Sequence, residues 1–111
     1  MTKTITLSGQ SGRLNLKDSI VKFGNWNIYE KIVGLNEPNN NYWSGRFEIQ
    51  KSDYGLFFNS LFGSNPLNAE FCGDVNCKGK ITINEPPILT DYPIIVSFIA
   101  AGELKKTHLP Q

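Results

Sequence analysis

The chain offers few residues for covalent or acid–base chemistry. Its single histidine is His108, in a polar C-terminal stretch. Serine and cysteine nucleophiles need a positioned base, usually histidine, and His108 is expected to be a solvated tail residue. Gly9-Gln10-Ser11-Gly12 resembles part of a phosphate loop. It lacks the lysine and Ser/Thr that must follow, and it joins no strand to a helix. Glu30, Glu48 and Asp53 are acids that folding would have to gather before they did paired acid–base work. Cys72-Gly73-Asp74-Val75-Asn76-Cys77 is the most reactive-looking local feature. Its four intervening residues leave room for a turn that brings the thiols together. Free thiols, a disulfide or redox pair, and metal ligation are the three readings. Structural zinc takes four ligands and only His108 would be a third, so free thiols come first. No catalytic residue, metal or cofactor is expected, and the chain is read as a non-enzyme.

The other supply is aromatic. Phe, Trp and Tyr make up 12% of the 111 residues, concentrated between Trp26 and Phe71. Two binding roles suit them. A protein-binding surface would use Tyr29, Tyr42, Tyr54, Phe57, Phe58 and Phe62 as anchors. A single-stranded nucleic-acid surface would stack bases on Trp26, Tyr42 and Trp43, with Lys31, Arg46 and Lys51 on the phosphates. Alternation weighs against part of each list. Trp43 and Phe47 share an apolar face and suit a core, whereas Tyr29 and Tyr42 fall on a polar face. In 56–62 the apolar residues exceed what one buried helix face requires, so this segment either fills the core or meets a partner.

Composition bounds the rest. The length fits one domain, 1–111, burying roughly two-thirds of its unfolded surface. An apolar fraction of 40% with 19% charged residues is inconsistent with a disordered chain. A formal net charge of +1 gives no overall attraction for nucleic acid. The basic residues are also interleaved with Glu30, Glu37, Glu48 and Asp53. The N-terminus has no signal-peptide pattern. The longest apolar-rich stretch, 93–102, falls short of the ~20 residues of a membrane span. A cytoplasmic protein that does not enter membranes is expected.

Elements follow from period-two patterns. Residues 3–17 alternate on both sides of Ser8-Gly9-Gln10-Ser11-Gly12, giving one long bent strand if the break is a bulge and a hairpin if it is a turn. Strands are expected over 19–23, 26–33, 42–51, 80–84 and 92–101, the last buried on both faces for much of its length. A short helix is expected over 53–62, capped by Ser52 or Asp53 and ended by Gly63. Residues 35–41 and 64–77 read as loops, and 103–111 as a frayed tail. Twelve asparagines suit many turns. The order predicts a mainly β fold: a small antiparallel five- to six-stranded OB-like barrel with a helix between strands three and four. An open antiparallel sheet with one helix is the alternative.

Tyr42-Trp43-Ser44-Gly45-Arg46-Phe47-Glu48-Ile49, with Gly12-Arg13-Leu14 before it, resembles a pattern in an uncharacterised small-protein family of bacterial integrative and conjugative elements. Those proteins carry an aromatic residue, a glycine and alternating apolar residues in a comparable strand. The resemblance covers the first half of the chain and departs after Lys51. It implies a mobile-element origin and a small barrel, and carries over no catalytic residue. The expected function is a protein-binding module, such as a phage- or mobile-element inhibitor or accessory factor, with a protein partner or a second copy. Single-stranded nucleic-acid binding is the alternative.

Overall fold

The first third of the chain is one long hairpin that breaks on both arms at the same level. In the computed structural model, which describes residues 2–33, 42–61, 63, 66–85, 87 and 94–107, strand β1 runs Thr2–Asn15 and returns as β2 (Ile20–Phe23) and β3 (Trp26–Val33). β1 keeps one register throughout, Asn15 opposite Ile20 and Thr2 opposite Val33. Gln10-Ser11 therefore faces Gly24-Asn25, and inward-facing residues change parity on both arms there. Gly12 and Leu14 are buried on one side of the break, Val21 and Phe23 opposite them, then Trp26 and Ile28 beyond. The glycine-rich break is thus a bend in a continuous strand. A bulge shifts the register between β1 and its other neighbour at Gly9 and Ser11.

Trp26 occupies the break. Its indole N–H donates to the carbonyls of Ser11 (2.8 Å) and Cys72 (3.1 Å), so backbone oxygens freed by the bend find a buried donor. Its ring lies so close to Gly9 that a Cβ there would come within 2.6 Å of it.

The remaining strands are β4 (Trp43–Ile49), β5 (Leu67–Gly73), β6 (Asn76–Thr82), β7 (Ile94–Ala100) and β8 (Lys105–Thr107). The antiparallel order β1-β3-β4-β7-β6-β5 closes when β5 pairs with the second half of β1. The fold is a closed six-stranded barrel with two extra strands, and the β1–β5 pairing sets aside the open-sheet alternative. β2 extends β3 along one edge of β1. β8 extends β7 along one edge of β6, after a bend at residues 101–104. Trp43 serves this second break as Trp26 serves the first. Its indole N–H donates to the Gly102 carbonyl at 2.8 Å, and its ring covers Gly79, where a Cβ would fall 2.8 Å away.

Phe47 is the hub of the core. Its ring lies 4.2 Å from Phe23, 5.6 Å from Phe98 and 5.7 Å from Phe57. Phe71 joins Phe23, Trp26 and Phe98 at 5.1–5.5 Å. Each such ring contributes about 1.5–3 kcal/mol on burial. Between β4 and β5 the chain is helical, tight over Lys51–Asp53, α over Tyr54–Leu56 and wide over Phe57–Leu61. This is the expected short helix between the third and fourth barrel strands. Neither Gln50 nor Asp53 makes a side-chain capping bond, so burial of Phe57 and Leu61, not capping, secures it. Gly63 follows at φ +74° and its N–H donates to the Ile83 carbonyl at 2.9 Å.

Three expectations are corrected. The 64–77 region is not mainly loop, because Ala69 and Phe71 alternate with Asn68 and Glu70 to make β5. The last long strand is buried on its inner face but not for much of its outer one, where Ile95 and Ser97 are half-buried and Ile99 is exposed. Residues 103–107 are not a frayed tail, since Leu104 is buried and β8 pairs with β6. The predicted loop 35–41, the start of the 92–101 strand, Phe62, His108 and the rest of the tail lie outside the described residues. No helix among the described residues is long and apolar enough to cross a membrane.

Candidate functional site

The outer face of β3, β4 and β7 gathers four of the sequence candidates. Alternation turns Trp26 and Ile28 inward and leaves Asn27, Tyr29 and Lys31 outward. On β4 the outward residues are Ser44, Arg46 and Glu48, and on β7 Ile95, Ser97 and Ile99. Register aligns Tyr29 with Ser44 and Ile99, and Asn27 with Arg46 and Ser97. Tyr42 enters beside them because the Lys31 N–H donates to its carbonyl at 2.7 Å. Tyr42 is 54% exposed and Ile99 43%.

Two adjoining shallow clefts cross this face. One, of about 370 Å³, is lined by Thr4, Tyr29, Lys31, Tyr42 and Ile99 among others. The second, of about 320 Å³, takes in Tyr29, Arg46, Asn84, Glu85 and Ile99. Arg46 Nη2 donates to the Tyr29 hydroxyl at 3.4 Å, a long bond on an exposed surface. Glu48 accepts from Asn25 Nδ2 at 3.0 Å. The face thus combines two tyrosines, an isoleucine and two cations, with Glu48 held by an amide at its margin.

Other sequence candidates lie elsewhere. Trp26 and Trp43 are 2% and 3% exposed. Both close strand breaks with their indole N–H groups, so neither ring is free to stack a base. Phe57 is fully buried against Phe47 and is unavailable to a partner. Tyr54 and Phe58 stack on each other at 5.8 Å, with Phe58 half-exposed and Tyr54 partly covered. Lys51 is exposed on the helical segment, away from the strands that carry Lys31 and Arg46. Ile99 was missed because its strand looked uniformly apolar; Ser97, two residues earlier on the same face, was the available signal.

Among the described residues the remaining reactive groups are dispersed. Glu30 points into the barrel and is buried, while Glu48 lies on the outer face, so they do not pair as general acid and base. Cys72 and Cys77 are free thiols, one exposed and one buried, because alternation from β5 into β6 turns them to opposite sides. Burial pushes the Cys77 thiol pKa up, which makes it a poor nucleophile. Among the described residues no three of His, Cys, Asp and Glu gather as a metal site. No family model, curated protein or solved structure matches the chain.

Proposed function

We propose that this protein is a non-enzymatic protein-binding module whose contact surface is the outer face of β3, β4 and β7. The observation that carries this reading is the cluster of Tyr29, Tyr42 and Ile99, with Tyr42 and Ile99 about half exposed beside Lys31 and Arg46. Tyrosine and arginine are the side chains that most often dominate protein interfaces, and an apolar centre with a polar rim is the usual anatomy. The partner is another protein or a second copy of the chain. The test compares capture of host proteins, and sedimentation of the purified protein, for the wild type and a Tyr42→Ala/Ile99→Ser variant. Both side chains point outward, so the variant keeps its unfolding temperature. It is expected to lose a partner or a dimer that the wild type holds. Equal capture and equal sedimentation would overturn the assignment of this face.

A second reading rests on Lys31 and Arg46 flanking Tyr29 and Tyr42, the arrangement by which a barrel face stacks bases and grips phosphates. It predicts oligonucleotide binding that weakens steeply with salt and is lost in Lys31→Gln/Arg46→Gln. The +1 net charge and the adjacent Glu48 and Glu85 favour the protein partner.

A further inference from the structure

A second groove lies across the barrel from this face, on the outer surface of β1, β5, β6 and β8. Its volume is about 500 Å³, and Asn15, Asn68, Glu70, Lys78, Lys80 and Lys105 are among the residues that line it. Alternation explains the lysines: Cys77 and Ile81 of β6 turn inward, so Lys78 and Lys80 turn outward. The barrel's register then sets Lys22, Arg13, Glu70, Lys78 and Lys105 in one row across five strands. The next row holds Asn15, Asn68 and Lys80.

This row breaks a rule of sheet design. Like charges directly opposite each other destabilise a strand pair, yet Lys78 faces Lys105 and Lys22 faces Arg13. The carboxylate between them does not relieve both pairs. Glu70 accepts from Arg13 Nε at 2.7 Å and from Asn15 Nδ2 at 2.6 Å, and it acts on Lys78 only through space. Among the described residues no carboxylate forms an ion pair with Lys78, Lys80 or Lys105. Glu103, also on the groove wall, is one exposed carboxylate against three ammonium groups. Local rules are broken most often where a site has a task other than stability.

We propose that this groove binds a small molecule bearing two or three linked phosphoryl groups. Three ammonium groups call for an anion of more than one charge, and lysine serves phosphate as a compact point charge with three donors. The amide of Asn68, and the second N–H of the Asn15 amide whose first goes to Glu70, add neutral donors on the β1–β5 side. The volume lies within the small-molecule range. The groove has no aromatic wall, so the phosphates and not a stacked ring are recognised. This site is independent of the proposed protein-binding face, and either assignment can fail alone.

Calorimetric titration with inorganic triphosphate tests the proposal directly. The wild type is expected to show saturable one-to-one binding that weakens with salt. Lys78→Gln/Lys105→Gln is expected to bind at least tenfold more weakly, with Lys51→Gln unchanged as a control for losing a positive charge elsewhere on the surface. Both substituted lysines point outward and repel each other, so the ligand-free double variant should unfold no earlier than the wild type. If it does unfold early, Lys80→Gln alone must show the loss of binding. Absence of saturable binding, an equal loss in Lys51→Gln, or equal binding of orthophosphate at matched ionic strength would each overturn the proposal.

Discussion

Glu30 Oε1 accepts a hydrogen bond from Lys106 Nζ at 2.6 Å, joining the inner face of β3 to the last described strand. The Glu30 side chain is 3% exposed and that of Lys106 31%. A carboxylate in a barrel of aromatic rings requires a counter-ion, because an unpaired buried charge is strongly destabilising. β8 supplies that ion, which gives this three-residue strand a structural role. Lys106→Ala is expected to cost about 2 kcal/mol in urea unfolding, below the ~3–5 kcal/mol of a fully buried pair because water reaches the ammonium. Glu30→Gln should cost less, since a neutral amide needs no counter-ion. A loss under about 0.5 kcal/mol for Lys106→Ala would mean that water already solvates Glu30.

The contrast between Trp26 and Glu30 shows how much of this fold is legible in the sequence. Alternation places Trp26 and Ile28 on one face, and strand β3 has the expected bounds. The same alternation puts Glu30 on that inner face, but its partner is 76 residues away and no local pattern announces it. Strand β5 was obscured for a related reason, as small Ala69 and polar neighbours weaken the alternation that pairing with β1 and β6 makes real. For the site, period two separated Tyr29 from Trp43 correctly. It could not show that Ile99 would lie beside Tyr29, because the β4–β7 pairing joins strands far apart in the chain. The lysine groove was invisible for the same reason, since its row spans five strands.

Phe57 and Phe58 separate the core from the surface of the helical segment. Phe57 is buried against Phe47, and Phe58 is 47% exposed against Tyr54. Phe57→Ala is expected to lose about 3–5 kcal/mol, the usual cost of removing a buried aromatic ring. Phe58→Ser should stay within about 1 kcal/mol of the wild type, since surface substitutions rarely do more. Chemical denaturation of both variants gives the comparison. A large loss for Phe58→Ser would show that its stack with Tyr54 belongs to the folded core.

Gly45 is a steric requirement of the pairing of β3 with β4. A Cβ at this position would fall 2.1 Å from the Asn27 carbonyl oxygen and 2.8 Å from Phe98 Cζ. The nearer obstacle is backbone, so no rotamer change relieves it, and β3 and β4 would have to separate. Gly45→Ala is expected to cost at least about 3 kcal/mol, the upper end for overpacking, or to prevent folding. Gly55→Ala is the control, because its Cβ would meet nothing nearer than 3.9 Å. It should be neutral or slightly stabilising, as expected for a helical glycine. Circular dichroism and thermal unfolding of the two variants test the difference.

Glu70 makes stability depend on acid. The Arg13 guanidinium, and after it the Asn15 amide, hold the Glu70 carboxyl below its ordinary pKa. As pH falls, the unfolded chain therefore takes up this proton before the folded one. The contribution is fully present above the unfolded value of about 4.3 and is lost as pH falls through the lower folded value. The pair is partly exposed, so its effect is modest and screened by salt. Glu70→Gln should lower stability at pH 7, and the gap from the wild type should close progressively below about pH 4. A gap that stays constant down to pH 2 would show that Glu70 acts through packing instead of charge.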